Sequence, residues 1–297
     1  MNAKRINRIA TGVIYFLVGI VVLLLVGIIG NILVSGVPQL SWHFLSSASS
    51  SFEAGGGIRD QLFNSLYLLL LTLIISLPIA LGAAIYLAEY APDNWFTQLI
   101  RTTIEILSSL PSIVVGLFGY LLFVVQFGLG FSILAGALAL TFFNLPTLTS
   151  NIEEAIKGVP QTQREAGWAL GLSNWKTIHG IVLPAALPGI ITGVILSAGR
   201  VFGEAAALIY TAGQSGSTVD YSNWNMFSPT SFLNIMRPAE TLAVHIWKVN
   251  TEGIIPDVNV VSAATSALLI IVVIIFNFGA RALGNWIYKR LTAAKIK

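Results

Sequence analysis

Six apolar runs, each long enough to cross a bilayer, constrain this chain more than any other feature. They cover residues 11–34, 62–88, 102–125, 131–148, 182–210 and 260–283. A hydrocarbon core takes about 20 helical residues, and lipid offers no partner to a free peptide group, so each run is expected to be a helix. Of 297 residues 55% are hydrophobic and only 10% charged, too apolar a balance for a soluble core of that size. The fold expected is an all-α polytopic membrane protein with six transmembrane helices. The first run exceeds a signal-peptide core of about 7–15 residues and lacks a small-x-small site after it, so it reads as a retained helix. With no cysteine there is no disulfide or thiolate metal site, and a net charge of +3 is too small to suggest nucleic acid.

Basic residues orient the spans. With the N-terminus inside, the inner segments hold Lys4, Arg5, Arg8, Arg101, Lys157, Arg164, Lys176, Arg281, Lys289, Arg290, Lys295 and Lys297, against Arg59, Arg237 and Lys248 outside. Both termini are then cytoplasmic, in a cell membrane. The expected organisation is a first helix and outer loop over 1–61 and a core over 62–283, followed by a cytoplasmic tail over 284–297. The core includes an inner loop at 149–181 and an outer loop at 212–259. Asp220, Glu240, Glu252 and Asp257 on that outer loop read as a solvated surface, or as a contact for an external protein with Trp247 and Phe232 as anchors. His43, His179 and His245 fall on three different loops, which gives no metal-ligand spacing.

No Gly-Lys pair occurs, so there is no phosphate-cradling P-loop, and any ATP must be bound by another polypeptide. In the inner loop, Asn151 and Thr162 are candidate N-caps, Glu153, Glu154, Glu165 and Ala166 favour short helices, and Gly171 sits where the chain should turn. Two short helices joined at a glycine make a lever for a docked partner. The alternative is an amphipathic re-entry loop held at the headgroups by Trp168 and Trp175.

The fifth run carries Arg200 and Glu204, four residues apart in an apolar stretch. An arginine there costs about 2.5–3.5 kcal/mol to insert and should face a partner or a wet cavity. Either the two form an internal salt bridge that fixes packing, or the guanidinium offers bidentate hydrogen bonds to a passing oxyanion while Glu204 holds it between turnovers. Gly189, Gly193 and Ser197 form one row of small residues and Gly199, Gly203 and Ala207 another, suited to close helix packing, including with a second subunit. In the third run Pro111 frees a carbonyl among Ser108, Ser109 and Ser112. Those hydroxyls either line a path or simply satisfy the kinked backbone. Pro78 and Pro146 pose the same question.

The order Glu165-Ala166-Gly167, three residues, Gly171, nine residues, Ile181-x-Leu183-Pro184 is similar to the EAA loop of ABC-importer permeases, with Gly167 where a second alanine is usual. Further segments resemble phosphate-specific ABC-transporter permeases of the PstA type. They are Leu110-Pro111-Ser112-Ile113-Val114-Val115-Gly116, Glu153-Glu154-Ala155-Ile156-Lys157-Gly158-Val159-Pro160, and Arg200-x-x-Gly203-Glu204-Ala205-Ala206-Ala207 on to Ala212. The resemblance covers most of the chain from the second run onward and implies a type I importer permease (MetI-like) fold. It also implies that Arg200, Glu204, Ser109 and Ser112 line the substrate path, with Pro111 as a kink. Glu165, Ala166, Gly167, Gly171, Leu183 and Pro184 would couple to the ATPase. The implied partners are a PstC-type sister permease, a PstB-type ATPase dimer carrying ATP and Mg, and a PstS-type external phosphate-binding protein. No cofactor is implied on this chain itself. Ala207 stands where some relatives have proline, from which a straighter upper end of the fifth helix is expected.

The function expected is therefore an inorganic phosphate importer permease. The same fold serving sulfate or molybdate is the alternative, and a polytopic enzyme using Arg200 and Glu204 is a third reading that lacks a nucleophile or metal set.

Overall fold

The computed structural model describes residues 3–50, 54–216, 219–253 and 255–293. Lys295, Lys297 and short pieces of both outer loops lie outside the described residues. The elements in order are α1 (Ala3–Gly36), α2 (Trp42–Ser46), α3 (Arg59–Ile85, continued by a wide turn at Tyr86–Tyr90), α4 (Trp95–Ser108) and α5 (Ser112–Gly119, continued by Tyr120–Gln126). There follow α6 (Ile133–Lys157), α7 (Gln161–Ala169), α8 (Asn174–Thr177), α9 (Leu183–Phe202), α10 (Ala206–Thr211), α11 (Leu242–Glu252) and α12 (Val258–Ala293). Among the described residues five stretches are long and apolar enough to cross a membrane: Asn7–Gln39, Arg59–Tyr90, Ile133–Lys157, Asn174–Phe202 and Val258–Arg290.

The expected third span is not one helix. It begins earlier, at Trp95, where the Asn94 side chain accepts from the Thr97 amide, and it breaks at Ser109–Pro111 with a bend of 98° between its halves. Pro111 has no N–H, disfavours helix at Leu110, and starts α5 in an extended conformation. Pro78 and Pro146, by contrast, are carried inside helices. The sequence-based boundaries at 149 and 283 also fall within helices, because α6 runs on to Lys157 and α12 to Ala293, so Asn151 caps nothing.

α6 is the axis of the bundle: α3, α4, α5, α9 and α10 all pack on it. Two apolar cores form around it. One joins Leu68, Leu69, Leu140, Val201, Phe202, Leu208 and Leu242. The other, at the end bearing Arg101 and Arg164, joins Ala80, Ala84, Leu148, Ile152, Ile156, Val182 and Ile190. Each α3, α6 and α9 passes from one core to the other through polar residues: Thr72 and Ser76, Thr141 and Asn144, and Ser197. All five are buried, so a polar layer divides the two cores. α1 packs on α12, and none of its most apolar stretch is buried.

The loop between α10 and α12 is folded, not a slack connection. Its backbone bonds to the start of α6, with Ile133 N–H donating to the Arg237 carbonyl and Leu134 N–H to that of Ile235. Arg237 is buried, which lowers its pKa, and donates to Asn64 Oδ1 on α3 at 2.7 Å. Asn64 in turn donates to the Glu240 carbonyl at 3.0 Å. Glu240 departs from the expected solvated surface: it is buried, accepting from Gln61 Nε2 at 3.2 Å and facing His245 Nδ1 at 2.9 Å. Phe232 likewise packs among Phe63, Tyr221 and Trp224. Replacing Asn64 by Ala leaves the buried guanidinium without its side-chain acceptor. That should cost about 1–3 kcal/mol and lower the thermal midpoint of the purified chain by several degrees.

Candidate functional site

Three pieces of geometry bear on function: the polar layer with Arg200, a pair of broken helices, and a hairpin at the basic end.

In the polar layer, α9 and α6 run antiparallel. Gly189 lies against Ala155 and Gly193 against Asn151, where added Cβ atoms would meet them at 2.7 and 3.0 Å. The first small-residue row therefore serves contact within the chain; the second is cut by the end of α9, which leaves nothing near Gly199 and puts Ala207 on α10. Continuing the register sets Ser197 level with Thr147 and Arg200 level with Asn144. Their bonds cross: Ser197 Oγ donates to Asn144 Oδ1 at 2.6 Å, and Arg200 Nη1 to Thr147 Oγ1 at 3.0 Å. The guanidinium also sits 3.8 Å above the Phe143 ring, a cation–π contact. Among the described residues, four buried groups of this layer have no hydrogen-bond partner: the hydroxyls of Thr72, Ser76 and Thr141 and the Asn144 amide nitrogen.

The salt bridge open to Arg200 and Glu204 does not form. α9 ends at Phe202, and the chain breaks before α10 begins at Ala206. Four residues of separation make one helical face only where the helix continues, and here it does not. Glu204 Oε1 instead accepts from the Ala207 amide at 3.2 Å, at the start of α10. The straighter upper end expected from Ala207 is likewise overturned by this break.

The break is matched in α5. Gly116 lies so close to α10 that a Cβ would meet the Ala207 Cα at 2.7 Å, and one at Gly119 would meet Thr211 Cγ2 at 3.0 Å. The two helices run parallel, and one turn back from these contacts Glu204 is level with Ser112 and Ile113. Non-helical backbone at membrane depth survives only where protein or water covers it. Of the serines at this break, Ser108 Oγ donates to the Glu105 carbonyl and Ser109 Oγ to that of Ile106, which satisfies the broken backbone. Ser112 is half-buried and makes no side-chain hydrogen bond among the described residues.

At the basic end, α7 and α8 form the expected pair of short helices. Gly171 between them has φ +74°, a left-handed conformation that glycine adopts without strain. Pro160 precedes α7, so Thr162 lies inside the helix and is not its cap. Ser173 caps α8. Gly167 has a packing reason: a Cβ there would meet Thr177 Cγ2 at 2.7 Å, pressing the helices apart. Leu183 packs on the basic-end core, and Pro184 follows the wide helical turn Ile178–Val182 that carries α8 into α9. Glu165 and Ala166 are exposed, with Leu170 79%, Trp175 57% and Trp168 45% exposed beside them.

The anchor of this hairpin is a buried ion pair that spacing alone did not reveal. Arg164 grips Glu89 through Nη2 at 2.7 Å and Nε at 3.1 Å, and donates also to the carbonyls of Val159 and Ile156 at the end of α6. A second pair, Arg101 to Glu153 at 2.9 Å with Lys157 on the same carboxylate at 2.7 Å, fastens α4 to α6. An acid closing the second apolar run, opposite an arginine in the inner loop, was the available signal for the first pair.

Residues 76–293 match the protein family described as binding-protein-dependent transport system inner membrane component. The chain belongs to that family. This permease is 53% identical over 293 residues to the probable ABC transporter permease protein YqgI of Bacillus subtilis (strain 168), covering 99% of this chain and 100% of that one. It is 34% identical over 233 residues to the phosphate transport system permease protein PstA of Haemophilus influenzae, covering 78% and 81%. Among solved structures it resembles a bacterial ABC transporter for the acidic polysaccharide alginate, with TM-score 0.62, 14% identity and coverage of 96% and 97%. The MetNI methionine ABC transporter gives TM-score 0.55, 18% identity and coverage of 79% and 94%. The fold is that of a type I ABC importer permease, a transport subunit and not an enzyme.

Proposed function

We propose that this permease carries inorganic phosphate across a prokaryotic cell membrane, with Arg200 as the anion's contact in the path. The observation that carries the reading is the state of that guanidinium. It lies in the polar layer, half-buried, with Thr147 as its hydrogen-bond partner and, among the described residues, no carboxylate on it. An arginine freed from its neighbouring glutamate keeps donors available for a bidentate oxyanion. The resemblance to PstA chains supports phosphate as the anion.

In this reading both termini and the α7–α8 hairpin are cytoplasmic. The exposed Glu165, Ala166, Trp168 and Leu170 dock into a PstB-type ATPase, which supplies ATP and Mg. Gly167 and Gly171 keep the hairpin compact, and Leu183 and Pro184 pass its movement into α9. A PstC-type sister permease completes the path and a PstS-type protein delivers the anion to the folded outer loop. Ser112 faces the path at the α5 break, while Ser109 serves the backbone.

The test is labelled-phosphate uptake in cells lacking this chain, complemented by the native sequence or by Arg200→Gln at equal membrane abundance, with sulfate, molybdate and arsenate as competitors. Losing a charge-assisted contact should cut uptake roughly tenfold or more, and arsenate alone should compete. Native-level uptake by the variant makes Arg200 a packing residue; competition by sulfate or molybdate assigns another oxyanion.

A further inference from the structure

The α9–α12 seam at the basic end holds another arginine, Arg281, with no carboxylate on it among the described residues and remote in sequence from Arg200. Gly284 on α12 is pressed on Ile191, where an added Cβ would stand 2.6 Å from that side chain. Beside this contact the helices part around a cavity of about 250 Å³ lined by Pro188, Ile191, Thr192, Ile195, Arg281 and Asn285. The Thr192 hydroxyl is spent on the Pro188 carbonyl at 2.9 Å. Arg281 and Asn285, one turn apart and both exposed, take part in no ion pair or side-chain hydrogen bond among the described residues.

Depth tells what reaches them. At 1.5 Å per residue Arg281 lies about 34 Å along α12 from Val258, just beyond a hydrocarbon core of about 30 Å. Trp286, adjacent to Asn285, carries the Arg290 guanidinium 4.0 Å from the centre of its ring, an aromatic and cationic pair of the kind found at a membrane interface. The cavity thus joins apolar walls, at the depth where acyl chains end, to a guanidinium and an amide at the depth of headgroup phosphates. No carboxylate lines it.

We propose that this cavity binds the phosphate group of an anionic phospholipid, with Arg281 taking the phosphate oxygens and Asn285 a neighbouring oxygen of the headgroup. Pro188, Ile191 and Ile195 receive the start of an acyl chain. A basic pocket between spanning helices at a membrane face selects anionic headgroups by charge and shape together. Free phosphate shares the oxyanion chemistry but not the apolar walls, and this separates the two sources. The site moves with the α9–α12 seam, so a bound lipid would brace the lower half of α9.

The test is native mass spectrometry of the purified full chain equilibrated with equal phosphatidylglycerol and phosphatidylcholine. The native chain should retain phosphatidylglycerol preferentially, Arg281→Gln should lose that preference by about fivefold, and Arg281→Lys should keep part of it. Thr192→Phe, which fills the cavity and leaves the charge in place, should also release the lipid, so the test does not depend on one variant's folding. Millimolar inorganic phosphate should not displace the lipid. Equal retention of both lipids, undiminished retention by Arg281→Gln, or displacement by phosphate would overturn the assignment. Loss of binding to an ATPase subunit in Arg281→Gln with lipid retention unchanged would overturn it too, and give the residue to a protein contact.

Discussion

Replacing Arg164 by Ala should abolish transport while leaving the partner ATPase able to hydrolyse ATP. Arg164 is the one described side chain that ties α7 at once to α3, through Glu89, and to the end of α6, through two carbonyls. Both members of the pair are about nine-tenths buried, with side-chain exposures of 10% and 9%. Breaking such a pair from one side costs about 3–5 kcal/mol, because the remaining charge stays buried without a partner. The Glu89 carboxylate would draw in water or move out, and in either case the hairpin loses its fixed position beneath α3. A hairpin that still presents Glu165 and Ala166 but no longer bears on the spans is a lever without a fulcrum. Uptake and hydrolysis measured together in proteoliposomes should show uptake at background with hydrolysis retained. The double change Glu89→Gln with Arg164→Gln, which leaves no lone charge, should be milder than the single one. Native coupling in Arg164→Ala would overturn the role given to this anchor.

Gly116→Val should be nearly as damaging, from the other end of the molecule. The atoms that a side chain at 116 meets are backbone, Ala207 Cα at 2.7 Å and the Ala206 oxygen at 3.2 Å, so no rotamer relieves the clash. Overpacking of this kind costs about 1–3 kcal/mol or more, and the element that must give is α10, six residues long. Its displacement would carry Glu204 with it and misalign the two helix breaks. Uptake should fall to background while assembly with the ATPase survives, since the hairpin proposed to dock it is untouched. Gly82→Val is the matched control, because nothing lies within 4 Å of a Cβ there, and it should transport normally. Comparable uptake by the two variants would show that the α5–α10 contact is dispensable.

The spans were legible from their length and apolarity, and the hairpin from Gly171, since each rests on a local rule: bilayer thickness in one case, left-handed backbone in the other. What could not be read was where a helix stops. Arg200 and Glu204 were placed on one face by counting residues, but Gly203 ends α9 between them and sends the two side chains to different partners. Pro111 marked an interruption, yet the 98° bend depends on how α4 is fastened to α6 by Arg101 and Glu153, a contact 52 residues apart. Arg164 was counted only as an inner positive charge, because its partner Glu89 is 75 residues away. The polar layer left a trace that could have been followed: hydroxyl or amide residues at Thr72 and Ser76, Thr141 and Asn144, one turn apart near the middle of two apolar runs. Their convergence at one depth needed the packing of α3, α6 and α9.

That convergence bears on how the bundle gets wet. Above and below the layer, parting the helices would expose leucine, isoleucine and phenylalanine to water, at about 25 cal/mol for each Å². Within it, the three unpaired hydroxyls and the Asn144 amide would each gain a hydrogen bond from the first waters to arrive. The middle of the protein is therefore its easiest level to hydrate, and the two apolar cores act as gaskets on either side. A chain built this way can hold a small pool of water around Arg200 while both gaskets stay shut, so the surroundings of a passing ion can change from dry to wet without a continuous leak.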